Sequence, residues 1–357
     1  MSWTQYSKQD FQKDDRGWEK GKRRKWDKAT EKQIKTIHKY LTANSKNFFT
    51  GATAVEQEWR EKYPLTSPPP LRTIGQILLD LGLSEKRKKG RNKGAARYLC
   101  YPEHTIYNLL KGRILESDFV GKKYITGRSE PLNFIGFSFK KEPKIRYFKR
   151  IEGQTADNFI NHCEYFFNKF EKPDFVKVDN GLAVIGSASV KRNVSSAMLY
   201  LLKNKVIPIF AVPRKPFSQA SIEGNNSVFS RKFWNKIKFK NIKEVDKKLE
   251  WFNDASVKYL GYRPPKTKKK TNKKFIPKVY FIRQGHEDEK TKRCFVEILN
   301  DKIFLRKSYI NYFVLGEWNL KDEELKIYFE KDLKPKIIKK IKFKINPISK
   351  SKCKELF

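Results

Sequence analysis

The sequence predicts a multidomain chain: an all-α N-terminal region, a central α/β domain built on a mixed sheet, and a small C-terminal β-barrel. Three observations predict it. The 357 residues exceed a single core of ordinary size and suit about two to three folded units. The apolar pattern is helical before residue 85, alternates between strands and helices to about residue 262, and breaks into short extended runs after residue 278. Two basic stretches with no apolar face, EKRKKGRNKGAAR and KTKKKTNKK, separate these regions.

Residues 1–28 are polar, end in GKRRKWDK and hold too little apolar material to fold alone, so they read as a basic arm. Residues 29–100 form the helical region with its basic linker. Ile34, Ile37 and Leu41 recur at helical spacing, and Val55, Trp59 and Tyr63 share a face of a second stretch. In TSPPPLRTIGQILLDLGL, Thr66 and Ser67 are candidate caps, and the three prolines force a stop. Ile74, Ile77, Leu78 and Leu81 then stripe a third helix that ends at Gly82. Three short helices of this kind predict a helix-turn-helix unit, whose last helix presents Arg72, Thr73 and Gln76 to a DNA major groove. A small bundle with those residues merely solvated is the plainer alternative.

Residues 110–262 form the α/β core. From Asp118 to about Arg150 the chain is extended, with PLNFIGFSF and KIRYFKRI divided by a turn. TADNFINHCEYFFNKF is an amphipathic helix, FVKVDNG a buried strand ending in a turn, VSSAMLYLLKNK a helix and IPIFAV a strand. SIEGNNSVFSRKFWNKI is a long helix. Three strands, helix, strand, helix, strand, helix is a ribonuclease-H-like order. Residues 263–277 are a Lys-rich linker. Over 278–335, VYFIR, CFVEIL, KIFLR and LKIYFE are spaced for the barrel. Residues 336–357, rich in Lys and Ile, read as a basic tail, with a further helix or strand left open.

The 79 Lys and Arg against 39 Asp and Glu give a formal charge of +40. A surface so charged repels itself unless a polyanion is its neighbour, which favours double-stranded DNA or RNA over a membrane surface. The excess falls mostly on Lys, in a chain also rich in Ile, Asn and Phe, as AT-rich coding sequence produces. Cys100, Cys163, Cys294 and Cys353 are widely spaced, as are His38, His104, His162 and His286. The sequence thus has neither a disulfide framework nor a zinc module, and a reducing compartment is expected. The first residues lack the apolar run of a signal peptide, and no stretch approaches the ~20 residues that span a bilayer, so a cytoplasmic location is expected.

Three carboxylates fall where strands or a helix end. Asp118 opens the first extended segment, Asp179 closes the middle strand, and Glu223 begins the long helix. Singly each is ordinary; an Asp before Asn-Gly is a common turn residue. Together they can converge on one sheet edge. Hard cations such as Mg²⁺ or Mn²⁺ take oxygen ligands, and two ions held there can drive an in-line displacement at phosphorus, with Asp179 as the bridging ligand. Glu116, two residues away on the same strand face, is the rival to Asp118. Asn180 and Gly181 are expected to turn tightly enough for DNA to approach, and Arg231 and Lys232 are candidate phosphate contacts or simply a solvated helix face.

The chain resembles insertion-sequence transposases with a retroviral-integrase-type core, the DDE superfamily. Asp118-Phe119, VKVDNG and PRKPFSQASIEGNN match its three successive motifs. TSPPPLRTIGQILLDLGL resembles the helix-turn-helix that precedes such cores, and WFNDASVKYLGYRPP the segment that follows them. The resemblance covers most of residues 30–330 and is most specific over 176–226. It implies Asp118, Asp179 and Glu223 as the catalytic and metal-binding triad. It also implies Mg²⁺ dependence and cleavage and strand transfer of transposon ends within a homo-oligomeric DNA complex. Two departures are Leu115, where such cores often carry Trp, and a long interval between Asp179 and Glu223. A DNA-binding derivative without catalysis and a ribonuclease-H-like nuclease are the alternatives.

Overall fold

A computed structural model describes residues 26–85, 105–106, 109–139, 141, 144–187, 189–260, 262 and 275–357. Most of the basic arm and both Lys-rich linkers, the sequence EKRKKGRNKGAAR included, lie outside the described residues. The chain divides into two compact units. One holds the first three helices; the other takes Ser45–Phe49 together with the remainder.

In the first unit, α1 (Lys28–Ala43) starts at Asp27, whose side chain accepts from the Thr30 amide, and buries Ile34, Ile37 and Leu41. α2 (Ala52–Lys62) adds Val55 and Trp59, and α3 (Leu71–Asp80) adds Ile74, Ile77 and Leu78. The expected caps of α3 do not cap it. Pro70 occupies the cap position, and the Thr66 hydroxyl instead accepts from the Trp59 indole at 3.2 Å. At the other end Gly82 adopts a φ of 66°, while Leu83 and Gly82 donate to the carbonyls of Leu78 and Leu79. This is a glycine-dependent stop, since a side chain there would be strained. Arg72 and Gln76 are exposed and Thr73 is half-buried; Gln76 donates to Asp80 on its own helix.

The second unit is built on one nine-stranded sheet. Its first three strands, β1 (Ile114–Lys123), β2 (Leu132–Phe139) and β3 (Arg146–Ile151), form an antiparallel meander. β4 (Phe175–Val178) pairs in parallel with β1, and β5 (Ile207–Phe210) in parallel with β4. The helix α4 (Ala156–Lys169) links β3 to β4, and α5 (Leu182–Ile185) and α6 (Ser196–Lys203) lie between β4 and β5. α7 (Ala220–Lys232) and α8 (Ile242–Tyr259) follow β5. The strand and helix order over 114–232 is the one the periodicity predicts, with the short helix α5 added after β4.

Strand alternation sends the apolar residues of the sheet to two different cores. Leu115, Ile135, Phe137 and Phe139 face Phe159, Cys163 and Phe166 of α4 and Met198 and Leu201 of α6. Phe134 and Phe148 face Phe229, Phe233 and Phe252 of the α7 and α8 side, and Phe48 packs there too. Gly136 lies opposite Asp118, and a β-carbon on it would come within 2.8 Å of the Phe148 ring and 3.1 Å of Ile222. Its missing side chain lets α7 settle on the sheet.

The C-terminal strands differ from expectation. They do not close into a separate barrel: β6 (Lys278–Gln284) pairs in parallel with β5. β10 (Phe313–Asn319), β11 (Glu324–Lys331) and β12 (Lys334–Lys342) then extend the same sheet antiparallel. Only β7 (His286–Glu287), β8 (Cys294–Ile298) and β9 (Asp301–Leu305) form a second, three-stranded sheet. The reason is burial on both faces. Val279, Phe281 and Val314 enter one core while Tyr280, Ile282 and Leu315 enter another, so these strands cannot line one small interior. The region expected to be a tail is also folded, into β12 and α9 (Pro347–Lys352). The Trp318 indole donates to the Phe343 carbonyl, and Cys353 is buried.

Phe229 is fully buried, with ring centroids 4.6 Å from Phe148 and 5.2 Å from both Phe134 and Phe233. Phe229→Ala is therefore expected to lower unfolding free energy by about 3–5 kcal/mol in urea titration. A loss below about 1 kcal/mol would show that α7 is not anchored through this ring.

Candidate active site

The site forms where β1, the end of β4 and the start of α7 meet. Asp118 is half-buried on β1. Burial first, and then the charges of Asp179 and Glu223, push its carboxyl up from an ordinary 3.8 to about 7, against the opposing pull of Asn226. Asp179 and Glu223 thus both bear on Asp118 through space. Asn226, one turn beyond Glu223 on α7, donates to Asp118 Oδ2 at 2.9 Å, and its own Oδ1 is buried without a hydrogen-bond partner among the described residues.

Asp179 sits in a turn of its own making. Its Oδ1 accepts from the Gly181 amide at 3.1 Å, an Asx turn that orients the carboxylate just past the strand. Asn180 donates to the Ala211 carbonyl at 2.7 Å and accepts from Arg283 at 2.8 Å. Arg283 is buried on β6, and its remaining hydrogen bonds go to the carbonyls of Glu297, Ala211 and Ile282. Burial lowers its guanidinium to about 9. Sequence reading missed this residue, which ties the Asp179 turn to the strand beside β5.

Glu223 occupies the first turn of α7 and is exposed. Burial of part of its side chain and the nearby Glu116 charge raise its carboxyl above the ordinary range. Glu116 itself is fully buried. Its Oε2 accepts from the Ile222 amide at 3.0 Å, and Oε1 lies 3.7 Å from Lys177 Nζ. Lys177 also donates to the Ser218 carbonyl, and Gln219 reaches the carbonyls of Ser117 and Lys177 at 3.4 Å. Glu116 therefore serves as an anchor for the amino end of α7 rather than as an open ligand. Asp118, by contrast, is only half-buried.

Basic residues flank the same helix. Arg146 on β3 donates to Asn225 at 3.0 Å and is lowered to about 10 by burial and then by Arg231. Arg231 is exposed in the last turn of α7, beside Lys232. Among the described residues, no group of three or more His, Cys, Asp or Glu side chains is drawn together closely enough to hold a metal ion. The donor chemistry nevertheless suits a hard cation: the acids are oxygen donors, burial and then the neighbouring acids raise the Asp118 carboxyl, and Asn226 leaves a buried oxygen unused.

No family model matches the chain, and no curated protein matches it in sequence. Among solved structures, the simian T-cell lymphotropic virus intasome in complex with the PP2A regulatory subunit B56 gamma is similar at 10% identity and a TM-score of 0.34. The match covers 88% of this chain and 99% of that one. A likeness at that level carries no weight for fold or function. No helix among the described residues is long and apolar enough to cross a membrane.

The raised Asp118 carboxyl links protonation to stability. Between about pH 4 and about pH 7 the folded chain holds a proton there that the unfolded chain has released, so this group costs stability as pH rises through that window. Asp118→Asn removes the cost. In metal-free urea unfolding, the variant's stability relative to wild type is expected to increase from about pH 5 to about pH 8. A difference that stays constant over that range would contradict the raised Asp118 carboxyl.

Proposed function

We propose that the chain is a DNA transposase of the retroviral-integrase-like kind, cutting and joining transposon ends. One observation carries the reading: Asp118, distant in sequence from Asp179 and Glu223, is raised by burial and by the nearby charges of both, where β1, the end of β4 and the start of α7 meet. Asp118 falls in the middle of β1 and not at its start as expected, Asp179 just past β4 and Glu223 in the first turn of α7, an order that supports the resemblance.

Asp118, Asp179 and Glu223 would hold Mg²⁺ or Mn²⁺. When bound, two such ions supply the charge that activates an attacking oxygen and stabilises the leaving one in an in-line displacement. The chain's own residues do the positioning. Asn226 orients the Asp118 carboxylate, the Asx turn at Gly181 orients Asp179, and the buried Glu116 fixes the helix end that carries Glu223. Arg146, Arg231 and Lys232 would meet phosphates along the helix face. In the first unit, α3 would act as the recognition helix of a helix-turn-helix, with exposed Arg72 and Gln76 and the neighbouring Thr73 turned to the groove. A homo-oligomer would assemble on the DNA, because two transposon ends must be held for joining.

The test uses duplexes carrying the DNA that flanks the coding sequence. With Mg²⁺ or Mn²⁺, wild type is expected to nick them and to join an exposed 3′-hydroxyl to a target strand, while Asp179→Asn falls to background. Cleavage that survives Asp179→Asn overturns the assignment, and hydrolysis without joined products reduces it to a nuclease.

A further inference from the structure

The three-stranded sheet has an inner and an outer face. Cys294, Val296, Ile298, Ile303 and Leu305 enter the core, so the alternate positions point outward. Register then places His286, Phe295 and Phe304 side by side across β7, β8 and β9, with ring centroids 6.1 and 6.4 Å apart. His286 is exposed, and both Phe rings are half-buried. Lys302 Nζ lies 4.6 Å from the Phe295 ring centre, and the Arg293 guanidinium lies 5.2 Å from that of Phe304.

One end of this row opens into a cleft of about 480 Å³. Phe295 and His286 line it together with Arg214, Lys215, Arg283 and a single acid, Glu297. Arg283 joins the cleft to the site described above, through its hydrogen bond to Asn180 beside Asp179. Arg214 and Lys215 make no side-chain hydrogen bond or ion pair among the described residues. Pro213 and Arg214 are the central residues of a turn closed by Lys215 N–H to the Val212 carbonyl at 3.3 Å. Arg214 has a φ of 57°, a conformation that costs an L-residue on the order of 1–2 kcal/mol. An arginine kept there, where glycine or asparagine would be unstrained, places a cation at the mouth of the cleft.

We propose that this cleft binds an unpaired nucleotide of a DNA strand held at the carboxylate site. The base stacks on Phe295, and the flanking phosphates meet Arg214 and Lys215. The occupant follows from the lining. Aromatic rings offer a sequence-tolerant stacking platform, unpaired cations at the rim match an anionic backbone, and a paired base inside a duplex cannot present its face to a ring. Lys302, which caps the ring, is held by Asp288 at 3.1 Å and so leaves Arg214 and Lys215 as the cations for phosphate. The proposal rests on reading the neighbouring site as one that acts on DNA.

The test is metal-free binding of the full-length chain to a single-stranded DNA oligonucleotide carrying 2-aminopurine, with a duplex of equal length and an RNA of the same sequence as competitors. Wild type is expected to quench the base fluorescence on binding. Phe295→Leu keeps apolar bulk but removes the ring; it is expected to weaken single-strand binding on the order of tenfold relative to duplex binding. Arg214→Gln with Lys215→Gln, both on side chains outside any core, is expected to reduce the salt dependence of log K by about 0.7 per lost phosphate contact. Absence of quenching in wild type, an unchanged single-strand to duplex ratio in Phe295→Leu, or tighter binding of the RNA would each overturn the proposal. Asp179→Asn separates the two readings: it should retain Phe295-dependent quenching even though it cannot cleave. Quenching that disappears in Asp179→Asn counts against the cleft.

Discussion

The candidate site depends on how the amino end of α7 is fixed to the sheet. Burying a carboxylate such as Glu116 is costly unless its oxygens are satisfied. Here Oε2 takes the Ile222 amide, among the first unpaired donors of the helix, while Oε1 has no hydrogen bond among the described residues and is offset only by the Lys177 charge 3.7 Å away on the paired strand. Glu116 and Lys177 are direct partners in the parallel register of β1 and β4, so the pair also joins the two strands that carry Asp118 and Asp179. A single buried contact thus sets the relation among all three acids. Gly136 and the phenylalanine cluster around Phe229 serve the same end, by allowing and then holding the close approach of the helix.

The second constraint comes from the far side of the sheet. Because β6 pairs with β5, the C-terminal strands are part of the framework around the site and not an appended module. Arg283 expresses this chemically. A buried guanidinium with hydrogen bonds to three carbonyls and to Asn180 keeps the turn after Asp179 in one arrangement. The same residue borders the aromatic and basic cleft, so the turn and the cleft share a wall.

Much of the core was legible because its signals are local. The aromatic and β-branched segments PLNFIGFSF and KIRYFKRI, the buried run FVKV and the helical stripe of Phe159 and Phe166 all appear in the structure as read. Asp179 and Glu223 stood out for the same reason, each at an element boundary. What escaped was non-local. Arg283 and Asn180 are 103 residues apart, and nothing in either segment announces the other. The supposed barrel failed for a related reason: a short strand buried on both faces reads like one lining a barrel until its neighbour is known. The helix α8 was overlooked although its signal was present, with Val245, Leu249 and Phe252 at helical spacing after an Asn241 cap. Thr66 was misassigned as a cap because its hydroxyl is taken by Trp59, a contact that depends on how α2 packs.

The central claim is that Asp118, Asp179 and Glu223 constitute one cation-holding group. Mn²⁺ binding to the DNA-free chain, followed by electron paramagnetic resonance of the unbound ion, tests it most directly. The account predicts saturable binding that weakens markedly in each of Asp118→Asn, Asp179→Asn and Glu223→Gln. Binding that is absent from wild type, or that all three substitutions leave intact, would contradict it.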